Sequence, residues 1–440
     1  EPYRRQRQMC IRDRSVSVDV PGTEKGGSTM RLYVLELKRL LKTRSVSFLL
    51  IAALVLSAVM AYVPVTYIQA YKTDKSGNIE AVSGREAIKV KRADKKALQG
   101  EMTEAKLRET ITDIKEVLKE YGSLSRQDIP LEVYVQKVYP HLDIIAVLEQ
   151  TVVPDGKNLY TMKYSDISEE DAKNVYVAYR KNVCNLNQNP GIQKKIDQMT
   201  AQIRTPFSYY PEITTDQLDY YEIYLFLVMI FFMVIITPVF ATEYQTGSDQ
   251  ILRCTKHGKF RLAVTKIAVV FTLIFAVFAA GTAVFSIIMR LLYGAEVFKN
   301  PLQMLGYLYY IPAFTVGKMY KVMVAGALLS LVAVGSSTLF FSAKCKTVQS
   351  ALICAFACAF VPMVIFTISN SRNILDILRC IFPTSGLAFM NSLEGELLAR
   401  NFVQIGSGYY WTPYIIAIAA GIWIPVCLVV TVVSYCKKEA

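Results

Sequence analysis

Residues Val46–Ile68 read VSFLLIAALVLSAVMAYVPVTYI, a run of 23 side chains without one formal charge. At 1.5 Å per residue it reaches across a hydrocarbon core of roughly 30 Å, and a helix pairs all of its backbone groups where water is absent. Five more windows behave the same way: Tyr221–Ala241, Ala263–Leu292, Val322–Phe341, Val348–Ile368 and Tyr414–Tyr435. A soluble enzyme with 53% hydrophobic residues would spread them along amphipathic elements; here they are gathered in blocks. The pattern gives an all-α polytopic membrane protein with about six transmembrane helices. The first run is too long for a cleavable signal and has no small-residue cleavage site after it, so it reads as a retained span. The third is long, which predicts a tilted helix or an end that emerges near Arg290.

Basic residues set the orientation. The segment before the first span, the loops between spans two and three and between four and five, and the tail after the sixth together carry 14 basic and 4 acidic residues. Nearly all of the net charge of +13 therefore lies on one side, and the positive-inside rule makes that side the cytoplasm. The expectation is a multi-pass protein of the plasma membrane with both termini cytoplasmic.

The segments then follow. Residues 1–29 are polar, basic and aperiodic; RRQRQMCIRDR resembles translated flanking sequence, and Met30 opens a new pattern, so 1–29 read as a non-native or disordered leader. Residues 30–45 form an amphipathic interfacial helix, 46–68 the first span, and 69–220 a large, mostly helical extracytoplasmic domain. Residues 221–440 form a five-helix region with a cytoplasmic loop at 242–262 and outer loops at 293–321 and 369–413.

From Ala70 to Asp219 there are 22 basic and 23 acidic residues, a near-neutral balance with no nucleic-acid footprint. Leu107, Ile111, Ile114, Leu118 and Tyr121 recur at helical spacing within 103–121. Ser168, followed by three acids, marks a helix start, and 192–203 reads as a helix. Asn78–Lys91, with Ser83-Gly84 as its turn, reads as a small hairpin. The outer loops carry apolar runs too short to span, at 305–311 and 374–382; they fit interfacial or re-entrant helices, or a cap packed on the large domain.

Several chemistries find no residues. Of nine cysteines only Cys184 lies in the polar domain, so that domain holds no internal disulfide, and Cys380 would be its sole outside candidate. The two histidines, His141 and His257, are far apart and have no metal-ligand spacing. There is no GxxxxGK[ST], HExxH or GxSxG, and no paired carboxylates within a span; Glu222 and Arg290 lie near span ends. Clean spans argue against ion-coupled transport.

Two cytoplasmic segments remain. In Met30–Thr43, Tyr33, Val34, Leu37, Leu40 and Leu41 form a stripe flanked by Arg31, Lys38, Arg39 and Lys42, which suits a helix in the lipid interface, either as an anchor or as a lever toward a partner. Residues 237–267 read TPVFATEYQTGSDQILRCTKHGKFRLAVTKI. Glu243 stands where the second span ends and Gly247 breaks the helix. Ile251 and Leu252 then sit among Arg253, Lys259 and Arg261, and Lys266 enters the third span. The pattern describes a helix leaving the membrane, a break, and a short amphipathic helix suited to a partner's groove.

This string resembles the signature of the permease subunits of type-2 ATP-binding-cassette exporters: Glu, Gly four residues on, a Leu-rich stretch, a basic cluster and a Lys entering the third helix. The six spans, the amphipathic N-terminal helix and the large outer domain agree with that plan. Many members have Pro after the Thr of the basic stretch, where this chain has Lys256 after Thr255. The resemblance implies that Gly247–Arg261 is the coupling helix contacting a separate P-loop ATPase subunit and that Glu243 helps transmit its motion. It also implies a second permease subunit, identical or paralogous. ATP would be bound by the partner, leaving this chain with no cofactor and no catalytic residue. Read from the residues alone, a non-transporting membrane scaffold or sensor with a ligand-binding outer domain suits the same plan but leaves the Glu243-to-Lys266 string unexplained. A membrane-embedded enzyme lacks a catalytic constellation. The cargo is not written in the residues.

Overall fold

The computed structural model describes residues 25–437, apart from 75–76, 155, 184–188, 212–215, 256–257, 306–307, 370–372 and 389–390. Most of the expected leader, together with Cys184, Lys256, His257, Tyr307 and Lys438, lies outside the described residues. The described residues open with helix α1 (Lys25–Lys42), five residues earlier than the amphipathic pattern predicts, and after a break at Thr43 enter α2 (Arg44–Tyr67), the first span.

Among the described residues six helices are long and apolar enough to cross a membrane, and each overlaps a window read from sequence. After α2 they are Asp216–Thr246, Phe260–Tyr293, Val316–Lys344, Val348–Ile368 and Thr412–Lys437. The second and fourth are 61% buried and the first and fifth only 22%, so the second and fourth form the middle of the bundle. The third runs unbroken for 34 residues, about 51 Å at 1.5 Å per residue, and so extends past a 30 Å core. Small residues let spans touch. A Cβ on Gly281 would stand 1.8 Å from the Tyr224 hydroxyl, and Ser57 donates a 2.6 Å hydrogen bond to the Gly281 carbonyl, which joins the first three spans. Gly326 and Gly335 serve the same kind of packing within this chain, against Leu393 and Ile274.

The second span is broken. It comprises Asp216–Ile236 and Pro238–Thr246, because Pro238 has no N–H to donate and its ring crowds the preceding turn. Ser342 of the fourth span repairs the break. Its hydroxyl donates to the Thr237 carbonyl at 2.7 Å and accepts from the amides of Phe240 and Ala241 at 2.9 and 3.2 Å.

The described residues between 69 and 211 make a domain with its own core of Leu107, Ile111, Ile114, Leu118, Ile144, Leu148, Val175 and Phe207. The helix predicted at 103–121 is Glu104–Tyr121, closed by Gly122 at φ 71°. The one at 192–203 is α3 (Pro190–Thr200), whose first amides the Asn189 side chain caps. The acids after Ser168 begin a helix at Asp171, whose carboxylate accepts from the Ser168 amide at 2.7 Å. The hairpin is shifted. Strands Gln69–Thr73 and Ile79–Ser83 pair around residues 74–78, while Ser83-Gly84 ends the second strand and Gly84–Asp94 is helical. The turn signal there is a strand-to-helix junction, because Gly84 takes φ 68° between them.

The loop after the third span is a cap: Met304 and Leu308 enter the core of the domain, and the Leu308 amide donates to Gln150 at 3.0 Å. The loop after the fifth forms helix α4 (Asn373–Ile381), followed by the short helix Leu393–Leu398 and the hairpin Phe402–Ile405 with Gly408–Trp411. Ile374, Leu378 and Ile381 of α4 are exposed. Arg379 on its other side is 2% exposed and pairs with Glu396 and, at 3.0 Å, with Asp376. Cys380 beside it is a buried free thiol.

Candidate functional site at the basic end of the bundle

The Ser342-braced turn aims the last stretch of the second span, and Glu243 with it, into the protein. Glu243 is 3% exposed and Lys266 is 1% exposed. The two form an ion pair, and the ammonium also donates to the Val239 carbonyl at 3.0 Å and lies 5.2 Å from the Phe240 ring. Arg39 of α1 reaches the same carboxylate at 3.3 Å and pairs with Glu36 at 3.0 Å. The Tyr435 hydroxyl, near the end of the sixth span, donates to the other carboxylate oxygen at 3.3 Å. One side chain is thus held by α1 and by the third and sixth spans.

The charges balance: Glu243 and Glu36 against Lys266 and Arg39. A closed network of this kind offsets much of the desolvation of its members, whereas a half-closed one does not. The Tyr435 ring carries the network onward, packing 5.0 Å from Phe240 and lying 5.2 Å from the guanidinium of Arg253, which pairs with Asp249 at 3.6 Å. A cavity of about 330 Å³, lined in part by Arg39, Leu40, Val46, Pro238 and Glu243, lies between α1 and the first and second spans. The helix α1 is therefore pinned by polar contacts beside open space.

Glu243, Lys266 and Arg39, residues far apart in the chain, meet here. Gly247 sits at φ 71°, the left-handed turn that lets the chain reverse into the six-residue helix Ser248–Arg253. Arg253 is turned inward and Arg261 bonds the Thr29 hydroxyl of α1. Leu252 packs partly against the core, while Ile251 is 74% exposed and Lys259 is exposed. Of the stripe on α1, Leu37 packs on the core, and Tyr33 donates to Thr272 of the third span at 2.8 Å. Lys38 faces out, and Leu41 at 41% exposure leaves the stripe to Leu40. Tyr435, Glu36 and Ser342 carry no sequence signal for their parts. A tyrosine before a basic tail reads as an interfacial anchor, and nothing local ties it to a carboxylate 192 residues away.

At the other end, Glu394 is 2% exposed and faces Asp219 and Glu222 of the second span. Burial, then these two like charges, push its carboxyl well above the usual carboxylate range. Among the described residues no group of three or more His, Cys, Asp or Glu side chains is arranged to hold a metal ion. No protein-family model, curated protein or solved structure matches the chain.

Proposed function

We propose that the chain is the membrane-spanning permease subunit of an ATP-driven exporter. It works with a second permease subunit and with a separate P-loop ATPase that docks at the basic end, in the cytoplasm, and ATP is bound and hydrolysed there. One observation carries the reading. An exposed loop bearing Ile251 and Lys259 is wired through Arg253, Tyr435, Glu243, Lys266 and Arg39 to three spans and α1. A load applied at Ile251 moves a buried ionic junction, not a slack connection, as coupling a soluble motor to a bundle demands. The positive-inside distribution and the resemblance of 237–267 support the same orientation and partner.

The test separates docking from folding. Ile251→Glu and Lys259→Glu change exposed side chains, whereas Arg253 and Arg261 have structural contacts. The tagged chain, purified in mild detergent from its native membrane, is expected to bring a stoichiometric P-loop ATPase that both variants lose while keeping the parental melting temperature. Purification alone, or only with envelope proteins across several detergents, would favour a scaffold or sensor.

A further inference from the structure

Two cavities at the domain end of the bundle share a wall. One, of about 410 Å³, lies between the fourth and sixth spans and is lined mainly by apolar groups such as Val322, Ala325, Leu329, Leu397, Ile416 and Ala417. The other, of about 290 Å³, lies between α3 of the polar domain and the last hairpin, where Lys195, Gln198, Gln202, Tyr409 and Tyr410 line it. Trp411 and Tyr414 belong to both. Their rings meet edge to face at 5.7 Å, and the Trp411 indole is fixed by a 3.3 Å bond to the Ala399 carbonyl.

The walls are built for this shape. Tyr409 lies against α3 because residue 191 is glycine; a Cβ there would fall 2.3 Å from the ring. Asn189 holds the Tyr409 hydroxyl at 3.1 Å. Gly326 admits Leu393 in the same way, and the short helix that carries Leu393 and Leu397 closes the cleft. A ligand crossing the Trp411–Tyr414 pair meets amides, phenols and an ammonium on one side and hydrocarbon on the other. Lys195 makes no ion pair among the described residues, and it is the one charged side chain among those that line this cavity. The polar half therefore favours negative charge, and Tyr414, exposed at the start of the sixth span, stands where aromatic side chains sit at headgroup depth.

We infer that the two cavities form one site for a membrane lipid with an anionic headgroup. An acyl chain fills the cleft between the fourth and sixth spans, and the phosphate lies by Lys195. The lipid then bridges the polar domain to two spans, so the seating of the domain depends on the bilayer's composition. The inference rests on the spanning helices and not on the exporter proposal.

The chain has two tryptophans, so Trp423→Phe leaves Trp411 as the sole reporter. The full chain is reconstituted in phosphatidylcholine vesicles with graded phosphatidylglycerol brominated on its acyl chains, or with equally brominated phosphatidylcholine. Half-maximal quenching of Trp411 is expected at about fivefold lower mole fraction of the phosphatidylglycerol, the preference one lysine confers on an anionic lipid. Lys195→Gln, at an exposed position, should equalise the two lipids, and Ala325→Phe should remove quenching by either. Equal quenching by both lipids in the parent chain, or a preference that survives Lys195→Gln, overturns the proposal. No ATP or partner enters the readout, so its failure leaves the exporter proposal to its own test.

Discussion

The Lys266 ammonium is paired with the Glu243 carboxylate across 23 residues, and both side chains are almost wholly removed from solvent. Such a pair contributes little net stability when intact and costs much when half is removed, because the surviving charge stays buried. Its value lies in fixing where the second span ends relative to the third.

Glu243→Gln or Lys266→Met alone should therefore lower stability by about 3–5 kcal/mol. The double replacement Glu243→Leu with Lys266→Met should recover most of that loss. If the exporter proposal holds, the double variant retains its fold and binds ATPase but does not couple hydrolysis to transport. Detergent melting curves alongside reconstituted transport separate the two effects; a double variant as unstable as the singles would contradict the argument.

Ser342→Ala would leave the Thr237 carbonyl and the amides of Phe240 and Ala241 without their shared partner. The expected cost is about 1–3 kcal/mol, the desolvation of unpaired buried groups. Ser342→Thr, which keeps the hydroxyl, should lose less. Hydrogen exchange at residues 237–243 checks the location: protection should fall there and not in the polar domain.

Glu394 gives a pH dependence with a definite sign. The folded chain holds its proton at a pH where the unfolded chain, with an ordinary glutamate near 4.3, has released it. Stability from this group is full in acid and is lost as pH climbs toward the raised folded value. Glu394→Gln should thus melt higher than the parent at pH 8, with the gap closing toward pH 4.5. An equal gap at both pH values would mean that Glu394 is not held protonated.

Burial also pushes the Cys380 thiol up to about 12, so maleimide should leave it unlabelled at pH 8 while the exposed Cys254 reacts. Arg379→Met removes the ion pair with Glu396 that docks α4, along with the pair to Asp376 within the helix. Peptide mapping should then find Cys380 labelled at least tenfold faster, the effect of losing roughly 1.4 kcal/mol of local docking.

By itself the sequence determined the six spans, the polar domain after the first, and helices at 103–121 and 192–203, which the structure places at Glu104–Tyr121 and Pro190–Thr200. Each rests on local periodicity and length, which a single stretch of chain carries. It also singled out Glu243, Gly247 and Lys266, since a lone acid, a glycine and a lysine at span boundaries are locally unusual. Only the tertiary structure decided what those residues touch. That Arg39 and Tyr435 close on Glu243, that Ser342 mends the Pro238 break, and that Glu394 meets Asp219 and Glu222 depend on helix packing. Ser83-Gly84 shows the same limit at short range, because a glycine at positive φ serves a strand-to-helix junction as readily as a hairpin turn. Contacts between distant segments leave no period in the chain, and in a bundle they are set by which faces the helices turn toward one another.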